Sequence, residues 1–261
     1  MNIVTLTLSC AFDIHCTADK LTLNHENLAS IISSDAGGKG VNISRALTKF
    51  GTKNTAVAVL GEDNGDSFER ALKNEGITLY PIWDKGRIRE NITVHTDDGR
   101  ETRLSFRGSP VSKDVFSKVT KTLHSLCNSE TLLTVTGRVP DGIEIGEVKA
   151  LIKELSKNGV KVVIDSRSFT LADLIDTKPY LIKPNEEEID AYIEELNDLK
   201  IRETDWLDNI INPSPHSGKD SEEMKCNISF TLLDGTTDEL SFEKSENGRL
   251  CYKGKTYIIR N

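Results

Sequence analysis

Strand-like runs of β-branched residues alternate with helical patterns over roughly the first two hundred positions, and few folds accommodate that rhythm. Residues 2–8 alternate Val and Leu with Thr and read as a strand. Gly37-Gly38-Lys39-Gly40 then opens a helix in which Ile43, Ala46, Leu47 and Phe50 recur at helical spacing, with Gly51 as a stop. Residues 55–60 form an apolar, β-branched run expected as a buried strand, and 67–74 a helix with Gly76 at its C-cap. Helices over 115–126, 145–157 and 185–196 alternate with strands over 132–135, 160–164 and 180–182. Such alternation implies a mostly parallel, doubly wound α/β sheet. Ligands in sheets of this kind bind at the carboxyl ends of the strands.

Two stretches break the rhythm. Residues 88–96 and 101–106 flank Asp97-Asp98-Gly99-Arg100 and read as a hairpin with one wet face. Residues 12–32 mix short apolar pairs with polar residues and read as loops or short strands. After residue 196 a polar segment runs to about 225, followed by short strands near 227–233, 239–242, 249–252 and 257–259.

Composition narrows the function classes. Hydrophobic residues make up 37% and charged residues 28% of 261 positions, as in a soluble globular chain long enough to bury a core. The formal charge is −8 and no Lys/Arg block occurs, which argues against nucleic-acid binding. No apolar run approaches the roughly 20 residues of a membrane span, so no membrane association is expected. Met1-Asn2-Ile3-Val4 resembles no signal peptide, so the cytoplasm is the expected compartment. The five cysteines form no C-x-x-C pair, and neither a disulfide framework nor a zinc site is indicated.

Four groups of residues stand out chemically. Consecutive glycines before the helix at Gly37-Gly38-Lys39-Gly40-Val41-Asn42 let backbone N–H groups approach a ligand, and the helix terminus favours an anion. The spacing is not that of a Walker A loop, and a tight strand-to-helix turn is the alternative. Arg89 and Asn91 share a face of the hairpin, with Arg103 on the partner strand; they would grip a phosphate or simply form a solvated face. Asp13, soon after the first strand, would accept bonds from sugar hydroxyls or serve as a turn residue. Lys183-Pro184-Asn185-Glu186-Glu187-Glu188 enters a helix; Asn185 and Glu188 make a capping box or, alternatively, hold a magnesium–nucleotide complex.

Together these pieces resemble PfkB-type carbohydrate kinases. Asp13 with Gly37-Gly38-Lys39-Gly40-Val41-Asn42-Ile43-Ser44-Arg45-Ala46-Leu47 is similar to the opening of that family. Gly86-Arg87-Ile88-Arg89-Glu90-Asn91 resembles its T-R-x-N strand, and Thr136-Gly137-Arg138-Val139-Pro140-Asp141-Gly142 its S-G-S-x-P-x-G turn. Val162-Val163-Ile164-Asp165-Ser166 and Leu181-Ile182-Lys183-Pro184-Asn185-Glu186-Glu187-Glu188 complete the series in order, over about residues 1–195. Within the family the motifs look most similar to those of 1-phosphofructokinase and tagatose-6-phosphate kinase.

The resemblance implies a ribokinase-like three-layer α/β/α domain over residues 1–261, with a small β-sheet lid from about 14–34 and 88–107. It implies ATP as phosphoryl donor, magnesium, and fructose 1-phosphate, fructose 6-phosphate or tagatose 6-phosphate as substrate. Asp13, Gly38, Lys39 and Asn42 would hold sugar hydroxyls, and Arg89, Asn91 and Arg103 the existing phosphate. Lys183, Asn185 and Glu188 would meet the nucleotide, with Glu188 near the metal. Lids of relatives often pair two subunits, so a homodimer through the lid is expected.

Three departures qualify the carry-over, and one is that Asp165-Ser166-Arg167-Ser168 lacks the family's usual small-residue pattern. Arg138 stands where the family usually has a small Ser, so it crowds the site or adds positive charge near the phosphates. The family's Thr-Val-Gly-Ala-Gly-Asp-Ser/Thr stretch, with its anion hole and catalytic base, does not occur in the 261 residues. Tyr257-Ile258-Ile259-Arg260-Asn261 resembles the strand leading into it, so the base is expected beyond Asn261, with the C-terminal part truncated and activity impaired. A non-catalytic sugar-phosphate-binding or dimerising protein is the other reading.

Overall fold

The computed structural model describes residues 2–199 and the strand segments 225–231, 237–243, 249–252 and 255–258. The chain divides into two compact units, Met1–Leu196 and Asn197–Asn261. In chain order the elements are β1 (Asn2–Thr7), β2 (Ala11–Ala18), β3 (Ser30–Gly37), α1 (Lys39–Lys49), β4 (Thr55–Gly61), α2 (Gly65–Asn74), β5 (Leu79–Asp84), β6 (Arg89–Thr96), β7 (Glu101–Ser105), α3 (Lys113–Leu126), β8 (Thr131–Thr136), α4 (Ile145–Lys157), β9 (Lys161–Asp165), α5 (Leu171–Thr177), β10 (Leu181–Ile182) and α6 (Glu186–Leu199). The second unit holds two antiparallel pairs: β11 (Lys225–Thr231) with β12 (Thr237–Glu243), and β13 (Arg249–Tyr252) with β14 (Lys255–Ile258). The polar segment expected from about 197 to 225 lies almost wholly outside the described residues.

The expected α/β fold is present. Six strands form one sheet in the order β10-β9-β8-β1-β4-β5, and every neighbouring pair is parallel. β1 is central: Val4, Thr5, Leu6 and Thr7 are all buried, as expected when both faces of a strand are covered. Against one face pack α1 and α2, through a cluster of Val41, Ala56, Ala58, Leu60, Phe68 and Leu72. α3 and α4 bury Val119, Leu123, Val148 and Ile152 near β5 and β9.

α1 departs from the expected apolar stripe. Phe50 is 85% exposed, and the buried face is Gly40, Val41 and Ser44. The physical reason is proximity: small residues let the helix lie close to β1, where Ser44 Oγ meets Thr5 Oγ1 at 2.8 Å. β5 escapes the sequence pattern because Pro81 interrupts it, and a sheet edge is where proline is tolerated. α5 escapes because it is only seven residues long; its one sequence signal is the capping box between Thr170 and Asp173.

A second sheet, four-stranded and mixed, has the order β3-β2-β6-β7. The expected hairpin is its β6–β7 pair, with Ile92 opposite Leu104 and Thr93 opposite Arg103. Its other half comes from the region read as loops or short strands. β2 runs parallel to β6 and antiparallel to β3. β3 is exposed along most of its length, so it carries no burial pattern to read. Phe12 of β2 packs edge-on against Phe68 of α2, with ring centroids 5.3 Å apart, and fastens this sheet to the larger one.

At Gly40 helix α1 approaches β1 and β8 closely. A Cβ there would meet the Thr7 hydroxyl and lie 2.9 Å from both Leu6 O and Thr136 Oγ1. Gly146, in the first turn of α4, faces open space. Gly40→Ala is therefore expected to lower unfolding stability by about 1–3 kcal/mol, the usual cost of overpacking. Gly146→Ala is expected to raise it by about 0.4–1 kcal/mol. Urea denaturation of the two variants checks both signs.

Candidate functional site

The small sheet overhangs the carboxyl ends of β1 and β8, and the space between is a cavity of about 610 Å³. That volume suits a small-molecule ligand. Seven residues singled out from sequence meet there: Asp13, Gly38, Lys39, Asn42, Arg89, Asn91 and Arg103. Gly38 and Lys39 begin α1, and Asn42 lies one turn in. Gly38 has φ of 127°, a conformation that favours glycine, and a Cβ would lie 2.9 Å from Thr7 Cγ2.

Asp13 sits within β2 of the small sheet, not at the carboxyl end of a strand of the large one. Alternation along β2 explains its direction: Phe12 points to the core, so Asp13 points to the cavity. Register places Asp13 opposite Asn91, whose Nδ2 donates to Asp13 Oδ1 at 2.8 Å. Arg89 Nη1 in turn donates to Asn91 Oδ1 at 2.8 Å. Arg103 Nη2 lies 3.7 Å from Asp13 Oδ1. Asp13 Oδ2 has no donor among the described residues and projects over Gly37, where a Cβ would collide with it. A carboxylate held by one oxygen and open at the other is suited to accept a ligand hydroxyl.

Arg89 is the half-buried member of this chain. Burial pulls its guanidinium below the ordinary arginine value, Asp13 pushes it back, and the like charges of Arg103 and Arg138 pull it down again. Arginine stays charged through such changes. The clustering of like charge is stored repulsion that an anion would relieve.

At the far side of the cavity Lys39 Nζ donates to Asp165 Oδ1 at 2.6 Å, and Lys183 Nζ lies 3.4 Å from Asp165 Oδ2. Asp165 ends β9 with its side chain 9% exposed. It was not singled out from sequence, although a carboxylate at a strand's carboxyl end was the available signal. Arg107, Arg138 and Arg167 also line the cavity. Arg107 follows β7, and Arg167 follows β9 just after the Val162-Val163-Ile164-Asp165-Ser166 stretch.

Asn185 and Glu188 do not line this cavity. They form the reciprocal cap of α6: Glu188 N donates to Asn185 Oδ1 at 2.8 Å and Asn185 N to Glu188 Oε2 at 3.0 Å. Among the described residues no cluster of three His, Cys, Asp or Glu side chains is placed to hold a metal ion. Glu188 Oε1 lies outside the capping bonds, and a magnesium ion carried by nucleotide phosphates takes only one or two protein carboxylates. Asn185 and Glu188 thus fit such an ion without being committed to it.

Arg45 braces the helix that carries Asn42, donating to Asn42 Oδ1, Ala36 O and Glu75. On the small sheet His15 Nδ1 and His95 Nε2 share a hydrogen bond of 3.0 Å.

This fold, with a glycine-flanked helix terminus facing a lid that bears arginines and an aspartate, is that of the ribokinase-like class. The chain belongs to the pfkB family of carbohydrate kinases, whose family model matches residues 4–208. Sugar kinases of that family take their phosphoryl group from ATP. It is 28% identical over 192 residues to 1-phosphofructokinase of Haemophilus influenzae, covering 74% of this chain and 61% of that protein. To 1-phosphofructokinase of Vibrio cholerae it is 30% identical over 190 residues, covering 73% and 60%. The chain thus spans about three-fifths of the length of these curated relatives. Among solved structures, phosphofructokinase-2 from Escherichia coli in complex with fructose-6-phosphate superposes with a TM-score of 0.69 at 23% identity, covering 74% of this chain and 64% of that one. At that identity the likeness is one of fold. No helix among the described residues is long and apolar enough to cross a membrane.

Cys10 is buried near Arg89 and does not line the cavity, and its burial argues against a role as nucleophile. Burial raises its thiol from 9.0 to about 12, and the nearby Arg89 charge lowers it by less. At neutral pH that leaves roughly 10³-fold less thiolate. Iodoacetamide at pH 8 is expected to label Cys10 only after unfolding in urea, as read by peptide mass mapping. Equal labelling rates with and without urea would contradict the burial argument.

Proposed function

We propose that this chain binds a phosphorylated ketohexose (fructose 1-phosphate, fructose 6-phosphate or tagatose 6-phosphate) for transfer of a second phosphoryl group from ATP. The carrying observation is the chain Arg89–Asn91–Asp13, with Arg103 beside it, over the N-terminus of α1. Arg89 and Arg103 offer fork-shaped donors for a phosphate already on the sugar. Asp13 Oδ2, Asn42 and the first backbone N–H groups of α1 offer acceptors and donors to the hydroxyls. Family membership and the two curated 1-phosphofructokinases support the same reading.

The nucleotide belongs beside Lys183, Asn185 and Glu188, with magnesium at Glu188. When bound, the metal would neutralise charge on the transferred group. The chain's own residues position the sugar: Asp13 orients a hydroxyl, and Lys39, held by Asp165, places one positive charge at the helix terminus. Positioning and electrostatic stabilisation carry most of phosphoryl transfer.

A second reading is a non-catalytic sugar-phosphate-binding or dimerising protein. Both readings share the sugar-phosphate site and differ in turnover.

Titration calorimetry with the three sugar phosphates is expected to give micromolar binding to at least one, and much weaker binding of unphosphorylated fructose. Arg89→Ala is expected to weaken the phosphosugar about 10- to 100-fold, the worth of a charge-assisted hydrogen bond. Equal affinity for fructose and its phosphates would sink the proposal. ADP production from ATP at about 1–100 per second would decide for the catalytic reading.

The lid suits a homodimer, because its edge strand β3 exposes Ile31 at 70% and Ile32 at 62%, and the loop before it exposes Leu23 and Leu28. An edge strand with such residues seeks a partner. Sedimentation is expected to find a dimer that Ile31→Lys shifts toward monomer, and a monomer in both proteins would refute the lid interface.

A further inference from the structure

Arg45 does not line the cavity, yet its guanidinium is the meeting point of three segments around it. The side chain is only 19% exposed. Nε and Nη2 grip the carboxylate of Glu75 just past α2, with Nη2 3.1 Å from Glu75 Oε1. Nη2 also donates to Ala36 O near the end of β3, and Nη1 donates to Asn42 Oδ1 one turn back on α1. Ala36 stands opposite Phe12, the residue that fastens the small sheet to the large one. Four hydrogen bonds to three segments leave the planar guanidinium no freedom to turn, and the two-point grip on Glu75 matches its fork.

This anchoring settles the Asn42 amide. A free Asn amide turns about its last torsion with little preference. A guanidinium has donors only, so the Asn42 atom facing Arg45 is the oxygen. The NH₂ group is then the end left over, and it has no acceptor among the described residues. Asn42 is exposed and lines the cavity. Turning the amide over would set its NH₂ against the guanidinium N–H and cost the bond. Glu75 matches the charge of Arg45, so the influence of Arg45 on a ligand runs through Asn42 and not through attraction of a phosphate.

We propose that Arg45 is a positioning residue for the phosphosugar: it holds Asn42 with its NH₂ toward the cavity, so that position 42 donates to a ligand oxygen and does not accept from a hydroxyl. The inference rests on the phosphosugar site proposed above and deepens it. It gives each wall a hydrogen-bond polarity. The lid accepts through Asp13 Oδ2, and α1 donates through Asn42 Nδ2.

The test measures dissociation constants of fructose 1-phosphate, fructose 6-phosphate and tagatose 6-phosphate by titration calorimetry at fixed ionic strength. The proteins are wild type, Asn42→Ala, Arg45→Met, their double variant and Asn42→Asp. Asn42→Ala is expected to weaken the tightest ligand about three- to tenfold, the worth of one hydrogen bond. Arg45→Met is expected to cost about as much in wild type and less than about twofold in the Asn42→Ala background, since the two residues act as one unit. A purely structural role gives the same loss in both backgrounds. Asn42→Asp keeps the oxygen that Arg45 holds and replaces only the NH₂, so it is expected to bind at least as weakly as Asn42→Ala. It decides alone if Arg45→Met does not fold. An unchanged affinity in Asn42→Ala or Arg45→Met, a loss that persists in the double variant, or wild-type affinity in Asn42→Asp overturns the proposal and leaves the phosphosugar site standing. If none of the three sugars binds wild type, both proposals fall together.

Discussion

The contact on which the site depends is the approach of α1 to the carboxyl ends of β1 and β8. Gly40 and Ser44 have almost nothing to keep the helix away, so its N-terminus comes down onto Thr7 and Thr136. That approach brings Gly38, Lys39 and Asn42 to the mouth of the parallel sheet. There the unsatisfied N–H groups of the helix and its partial positive charge point into the cavity. A larger side chain at position 40 would lift the helix and move all three residues at once.

A second constraint fixes the other wall. The small sheet has little core of its own, essentially Cys16, Ala18 and Val94 with Ile14 and Ile92. Its position is set by Phe12 against Phe68. Because side chains alternate along a strand, anchoring Phe12 in the core turns Asp13 toward the ligand. Parallel pairing of β2 with β6 then delivers Asn91 and Arg89 to Asp13. One aromatic contact and one strand register thus organise the polar chain that faces the sugar. The arginines gathered around it gain little from each other and much from an anion, which is why the cavity reads as an anion receptor.

Several features were legible from residue pattern alone. The strand–helix alternation fixes the parallel sheet, because a run such as residues 55–60 has no polar face to offer water. The β6–β7 hairpin was legible because both strands alternate about an Asp-Gly turn. The glycine-rich entry to α1 was legible because few local structures use Gly-Gly-Lys-Gly. β3 was not, since a strand exposed on both faces has no periodicity. Nor was β5, whose Pro81 argues against a strand unless its place at the edge is known. Helical spacing was enough to show α1 but not its buried face, where small residues, Gly40 and Ser44, approach the sheet.

The sequence by itself determined the class of fold, the family, and seven residues that meet in one cavity, because each lies in a local motif with its own backbone requirement. Tertiary structure alone decided the rest. It placed Asp13 in the lid and bound Lys39 and Lys183 to Asp165. It also assembled five arginines from separate strand ends around one space. These are relations between segments far apart in the chain. They arise from strand order and register, which are set by packing the whole sheet, and no local pattern records them.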